Sequence, residues 1–307
     1  MFSKDFLPVM NRHAAIIGRR ISVIAFLCLM LLSNAIAQPD LTIKRLVVNW
    51  PSIELYFSVD CNAVPAWTMV PGDFRIHDSG REVTNFTMPC PNPWVRCPMS
   101  AALVFDASGS MQGSGSALKQ AGKLFTGQMD GTNDEAAVLW FNNSVTLWQG
   151  ITADTSLLNA AIDSIPAIGG TALWDGIWSG LQETASHASN SCRAIVAITD
   201  GNDNLSTVLP SSIIAFANAQ HIRVFIIGLG TGLDPVSLET FAGLTGGRYY
   251  SATTPSQLSS AYLEIASIIQ QGFLECSIVY DAACADGALH EVELQLNQYC
   301  GGSDSGT

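Results

Sequence analysis

The sequence predicts an α/β protein. A doubly wound, mainly parallel sheet is expected over residues 98–272, with a small β-sandwich-like module built from the segments on either side. Three observations predict it. Apolar runs at 101–105, 137–141, 194–198 and 224–229 are rich in Val, Ile, Leu and Ala without polar alternation, as in strands covered on both faces. Amphipathic segments lie between them, and strand–helix alternation at this spacing builds a parallel sheet. Outside that block the pattern changes to short β-rich stretches around Asp-Ser-Gly and Ala-Asp-Gly turn sequences.

The N-terminal segment is read separately from the fold. Arg12, Arg19 and Arg20 precede an apolar stretch at 21–32, and Ala35-Ile36-Ala37 offers small residues where a signal peptidase reads. Residues 1–37 are therefore expected to be a secretory signal cleaved before Gln38, with an uncleaved anchor as the alternative. The apolar stretch is shorter than the ~20 residues a membrane span needs. No second long apolar segment follows, so stable membrane insertion is not expected after cleavage.

In the N-terminal β module, 38–97, strands are expected at 42–50 and 53–61. A hairpin is expected where 74–77 and 82–86 bracket Asp78-Ser79-Gly80. In the central block, helices are expected at 116–129, 156–165, 172–188, 210–220, 235–244 and 255–271. The first shows Leu118, Ala121, Leu124 and Phe125 on one stripe, and Pro210, Pro235 and Pro255 stand where helices start. Beyond it, 276–280 and 290–296 bracket Ala285-Asp286-Gly287 and read as a second hairpin, with Val292, Leu294 and Leu296 alternating with polar residues. Neither flank has enough strands for a core of its own. Residues 273–300 are therefore expected to complete the module begun by 38–97, and 301–307 read as a flexible tail.

Seven cysteines follow residue 37: Cys61, Cys90, Cys97, Cys192, Cys276, Cys284 and Cys300. In an exported chain they read as disulfides of the flanks. The expected pairs are Cys90–Cys97, Cys276–Cys284 and Cys61–Cys300, with Cys192 left as a buried thiol. No Cys-x-x-Cys pair supports zinc. From Gln38 onward the formal net charge is −15. Such a surface repels nucleic acid and anionic lipid, which argues against both as partners, and it suits cations.

Three pieces carry candidate chemistry. Asp106-Ala-Ser108-Gly-Ser110 leaves the first apolar strand, Gly169-Gly170-Thr171 leads into a helix, and Thr199-Asp200-Gly201 leaves the strand at 194–198. In a doubly wound sheet these points share one edge, where such folds place their sites. Two carboxylates and three hydroxyls then face one ion, and hard cations such as Mg²⁺ take oxygen ligands of this kind. Singly, each piece could be a turn former or a helix cap; together they predict a metal site at Asp106, Ser108, Ser110, Thr171 and Asp200.

The set resembles the von Willebrand factor type A domain and its metal-ion-dependent adhesion site. The resemblance covers about residues 98–272 and all five motif positions. It implies direct contact with the ion by Ser108 and Ser110, contact mostly through water by Asp106 and Asp200, and coordination by Thr171 in the ligand-competent state. It also implies an open position that accepts a carboxylate from a protein partner. The β lead-in at 71–86 more loosely resembles exported bacterial members. The cofactor expected is Mg²⁺, with Mn²⁺ or Ca²⁺ as alternatives.

Enzyme readings find less support. There is no Gly-x-Ser-x-Gly elbow, no His-Glu-x-x-His and no Walker lysine. A phosphatase built on Asp106 would want a second carboxylate where Ser108 stands. The expectation is therefore an exported, non-enzymatic adhesion or protein-binding protein at the cell surface, in the periplasm or in the medium. The alternatives are a scaffold with a structural metal that binds through the β module and, less favoured, a Mg²⁺-dependent hydrolase. Asp203 is read as a solvated loop carboxylate, and Trp174 and Trp178 as core packing rather than a ligand rim.

Overall fold

The computed structural model describes residues 40–60, 69–90, 95–282, 290–299 and 302–306. The expected signal segment lies outside them. Six strands form the central sheet: β5 (Met99–Asp106), β6 (Glu135–Phe141), β7 (Val145–Thr152), β8 (Cys192–Thr199), β9 (Ile222–Leu229) and β10 (Tyr249–Ala252). Their order across the sheet is β10-β9-β8-β5-β6-β7, parallel except for antiparallel β7 at one edge. Because β5 is first in the chain yet central in the sheet, the connections leave it in opposite directions. The exits of β5 and β8 therefore form the topological switch point.

Six helices cover the two faces: α1 (Gly115–Thr126), α2 (Thr155–Asp163), α3 (Leu173–His187), α4 (Pro210–Ala219), α5 (Pro235–Leu244) and α6 (Pro255–Gln270). Alternate residues of β5 serve opposite faces. Leu103 and Phe105 pack with α1, α2 and α6, whereas Ala102 and Val104 pack with α3, α4 and α5. This is why residues 101–105 of the strand are apolar throughout: every position is buried. Close approach of α3 to the sheet depends on Gly176, where a Cβ would lie 2.7 Å from Phe141 Cδ1. The helices and the four long parallel strands fall where the sequence places them. Edge strands β7 and β10 were not expected, β7 because its residues are half exposed and lack a continuous apolar run.

Seven strands outside this sheet form two antiparallel sheets. One is β1 (Asp40–Asn49), β2 (Ser52–Asp60) and β11 (Cys276–Asp281); the other is β13 (Gly302–Gly306), β12 (Val292–Tyr299), β3 (Phe74–Asp78) and β4 (Arg81–Val83). Leu55, Phe57 and Ile278 of the first sheet share a buried cluster with Phe74, Ile76 and Leu294 of the second. The expected hairpin after the central block does not form, because β11 pairs with β2 and β12 with β3. Opposite sheets let the apolar faces of β11 and β12 meet across one core. Within 301–307, read as a tail, residues 302–306 pair with β12. The turn at Ala285-Asp286-Gly287 lies outside the described residues.

The cysteine pairing also differs from expectation. Cys90 bonds Cys276, and Cys97 bonds Cys192. Cys90–Cys97, Cys276–Cys284 and a free Cys192 are therefore corrected. Parallel neighbours β5 and β8 start side by side, with Met99 opposite Cys192. Cys97, two residues earlier, thus meets a cysteine 95 positions away. The segment before the block lies against β11 through Ser277 N–H to Pro89 C=O (3.1 Å), which sets Cys90 beside Cys276. Cys61, Cys284 and Cys300 lie outside the described residues.

The sheets meet at an arginine junction. Arg223 and Arg45 both reach the Glu275 carboxylate, while Arg45 lies 3.4 Å from the Tyr56 ring centroid and Arg223 4.1 Å from that of Phe273. No helix among the described residues is long and apolar enough to cross a membrane.

Candidate metal centre

The five residues expected from sequence stand at the C-terminal edge of the sheet, around the switch point. Asp106 ends β5 and is fully buried. Its Oδ1 accepts from Ser108 N–H at 2.8 Å, which turns the chain sharply out of the strand. Ser108 Oγ lies 3.0 Å from Ser110 Oγ, and Ser110 Oγ donates to Asp200 Oδ1 at 2.6 Å. A continuous hydrogen-bonded run, through the Ser108 N–H and then the two hydroxyls, thus links the exit of β5 to that of β8. Asp106 and Ser108 form its buried floor, Asp200 is half buried, and Ser110 is exposed.

Thr171 arrives from the connection between α2 and α3. That connection is pinned to the β5 exit by Ile168 N–H to Ala107 C=O (2.7 Å) and Gly109 N–H to Gly169 C=O (3.0 Å). Gly169 has φ +98°, a conformation in which a side chain would be strained. Asn204 then holds Thr171 from the β8 side, its Oδ1 accepting from Thr171 N–H and its own N–H donating to Thr171 C=O. Thr171 Oγ1 lies 3.4 Å from where a Cβ on Gly201 would stand, so the glycine leaves the space before the hydroxyl open. Thr171 does not cap α3, since Ala172 occupies that position. The other four residues form one hydrogen-bonded run; Thr171 stands beside its Asp200 end, next to Gly201.

Two positioning residues were not singled out from sequence. Thr199, fully buried, donates to Asp106 Oδ2 at 2.7 Å and orients the carboxylate. Its signal was its place in Thr199-Asp200-Gly201. Asn204 had no signal apart from the loop that carries it. Asp203 accepts from Ser206 Oγ and, at 3.4 Å, from Trp174 N–H, tying its loop to the start of α3. Trp174 packs on Phe241 and Trp178 on Phe216. Both are core contacts.

Electrostatics make the arrangement unusual for a purely structural turn. Burial pushes the Asp106 carboxyl above the usual carboxylate range; hydrogen bonds from Ser108 and Thr199 pull it down, and the nearby Asp200 charge adds to the upward push. None of the described ion pairs involves Asp106 or Asp200. A buried carboxylate without an opposite charge is costly unless a cation offsets it. The donor set is all oxygen, with no His or Cys, which fits a hard divalent ion better than zinc. No group of three or more His, Cys, Asp or Glu side chains that could hold a metal occurs among the described residues. This set contains two carboxylates and three hydroxyls, so the residues present fit a Mg²⁺-type ion completed by water.

A doubly wound α/β domain with an oxygen cluster at its switch point is one class of protein, and here the class has a family. The chain belongs to the von Willebrand factor type A domain family, whose model matches residues 102–264, more than half of the sequence. Three solved structures are similar in fold. Proximal thread matrix protein 1 from the mussel byssus is 19% identical, covering 64% of this chain and 51% of that one with a TM-score of 0.52. Another structure of that protein, 18% identical, covering 64% and 50% with a TM-score of 0.52, has a zinc occupied MIDAS motif. A von Willebrand factor type A protein from Catenulispora acidiphila is 13% identical, covering 87% of this chain and 70% of that one with a TM-score of 0.51. No curated protein matches the chain.

Proposed function

We propose that the chain is an exported, non-enzymatic protein that captures an acidic group of a protein partner through a divalent cation held by Asp106, Ser108, Ser110, Thr171 and Asp200. The observation that carries this reading is the oxygen run from Asp106 to Asp200, which has no cationic partner among the described ion pairs and has Thr171 beside its Asp200 end. When bound, a Mg²⁺-type ion supplies a hard positive centre with a position for an incoming carboxylate. The protein's own part is positioning. Thr199 and Ser108 N–H fix the Asp106 carboxylate, and the Gly169 turn and Asn204 hold Thr171 beside the Asp200 end of the run. The mussel matrix protein of similar fold has a zinc occupied MIDAS motif, which supports a divalent metal in this reading.

Export is supported by two disulfides joining distant segments, which persist in oxidising compartments. The two antiparallel sheets and their shared core are read as a single module on which the metal-binding domain is mounted. A non-enzymatic role is supported by the described histidines: His187, His221 and His290 pair with Glu183, Glu54 and Asp78, none of which belongs to the oxygen run, and His77 lies on β3 of a separate sheet.

The test is a calorimetric Mg²⁺ titration of the wild type and Asp106→Ala, with circular dichroism confirming the fold. Loss of the binding heat in the variant is expected. Equal Mg²⁺ affinity in both proteins would exclude this site.

A further inference from the structure

On the side of Asp106 facing α1 lies a groove of ≈ 630 Å³. One wall is the flank of α1 that carries Lys119 and Lys123; the other runs from Asp163 to Ala167 before the Gly169 turn. Of the oxygen run, Asp106 lines it, beside Met111. The charges are distinctive. The whole sequence has four lysines against a net charge of −12, and two of them stand here. Spaced four residues apart on one helix, they share a face.

Both lysines keep binding capacity. Lys119 Nζ donates to the Asp163 backbone C=O at 2.9 Å, and Lys123 Nζ bonds the Asp163 carboxylate at 2.7 Å. An ammonium has three donors, and one exposed carboxylate offsets only one of two positive charges. Among the charged lining residues, Lys119 and Lys123 bond Asp163, whereas Asp106 lies at the end of the groove without an ion pair. The groove therefore becomes net positive once a divalent ion sits over Asp106.

We propose that the captured segment is an extended peptide with two acidic residues about two to four positions apart, the first serving the cation site and the second Lys119 and Lys123. The spacing follows from helix and strand geometry. Counted from Gly115, where the loop carrying Ser108 and Ser110 enters α1, Lys119 and Lys123 lie about 6 and 12 Å along the helix at 1.5 Å per residue, and an extended chain advances about 3.3 Å per residue. The inference rests on the metal-site reading above and adds the class of partner. The chain's acidic surface disfavours long polyanions, so a short diacidic segment fits better than an acidic tract.

The probes are acetyl-Glu-Gly-Gly-Glu-amide and the same peptide with the second Glu replaced by Gln, titrated into the protein in Mg²⁺ and followed by NMR shifts. On the wild type the diacid should bind about threefold to tenfold tighter than its Gln counterpart, the worth of one or two exposed ion pairs. In the double variant Lys119→Gln/Lys123→Gln the ratio should fall to about one with Mg²⁺ affinity unchanged. Asp163→Asn, which frees Lys123, should raise it. Equal affinity of the two peptides on the wild type, an unchanged ratio in the lysine variant, or no detectable peptide binding overturns the groove. Mg²⁺ titration without peptide reads the metal site separately. Mg²⁺ binding without discrimination sinks the groove alone; absence of Mg²⁺ binding, or discrimination that persists fully in chelator, sinks the two-point anchor.

Discussion

Replacing Asp106 by Asn should stabilise the cation-free protein and remove its stabilisation by Mg²⁺. The wild-type carboxylate is fully buried, lacks a cationic partner among the described ion pairs, and lies near the Asp200 charge. Asn keeps an oxygen for Ser108 N–H. Its amide can donate to Thr199 Oγ1, whose own proton has Gly201 C=O at 2.8 Å. The hydrogen bonds therefore survive and only the charge is lost. The gain should be roughly 1–2 kcal/mol, the cost of an unpaired buried charged group after its hydrogen bonds are counted. At about 2–4 °C per kcal/mol, Tm should rise by about 2–8 °C. In Mg²⁺ at about a hundredfold excess over Kd the wild type should gain about 2.7 kcal/mol, and the variant nothing. The order of stability then inverts between chelator and Mg²⁺. Thermal unfolding followed by circular dichroism in both buffers checks it. A variant less stable than wild type in chelator would refute the uncompensated charge, and an equal Mg²⁺ shift in both would refute a cation at Asp106.

Glu275→Ala leaves Arg45 and Arg223, both buried, without their shared carboxylate; guanidinium unfolding should show a loss of about 3–5 kcal/mol. Replacing Cys97 and Cys192 by Ser opens a 95-residue separation. The expected loss is about 2–4 kcal/mol, below the ~4.7 kcal/mol of an isolated 100-residue loop, because Cys90–Cys276 still spans the segment, and the unfolding midpoint measures it. Tyr262 has a fully buried hydroxyl with no hydrogen-bond partner; Tyr262→Phe should be neutral or stabilising by up to about 1 kcal/mol, and a large loss in thermal unfolding would show a hidden partner. Burial pushes the Glu135 carboxyl up, but hydrogen bonds from Ser100 and Ser189 outweigh it and hold the carboxyl below the usual range. Its stabilisation is thus present above the ordinary Glu range and lost as pH falls through the depressed folded value. The stability difference between wild type and Glu135→Gln, followed by denaturant unfolding against pH, should be largest at neutral pH and shrink in acid.

The central block was legible because its signals are local. A strand such as β5, buried on both faces, needs an unbroken apolar run, and Pro210, Pro235 and Pro255 mark helix starts within one residue. The five candidate site residues were legible because strand exits in a parallel sheet share one edge, so residue type and order sufficed. Only the tertiary structure decided what depends on neighbours distant in sequence. Cys97 meets Cys192 because β5 and β8 start together, β11 and β12 join different sheets because their apolar faces then bury each other, and β7 is a strand because β6 supplies its partner. The same holds at the site. The candidate groups were named from the sequence; that Thr199 orients Asp106, that Asn204 holds Thr171, and that two of four lysines line the adjoining groove came from packing, since none of those contacts joins residues near in the chain.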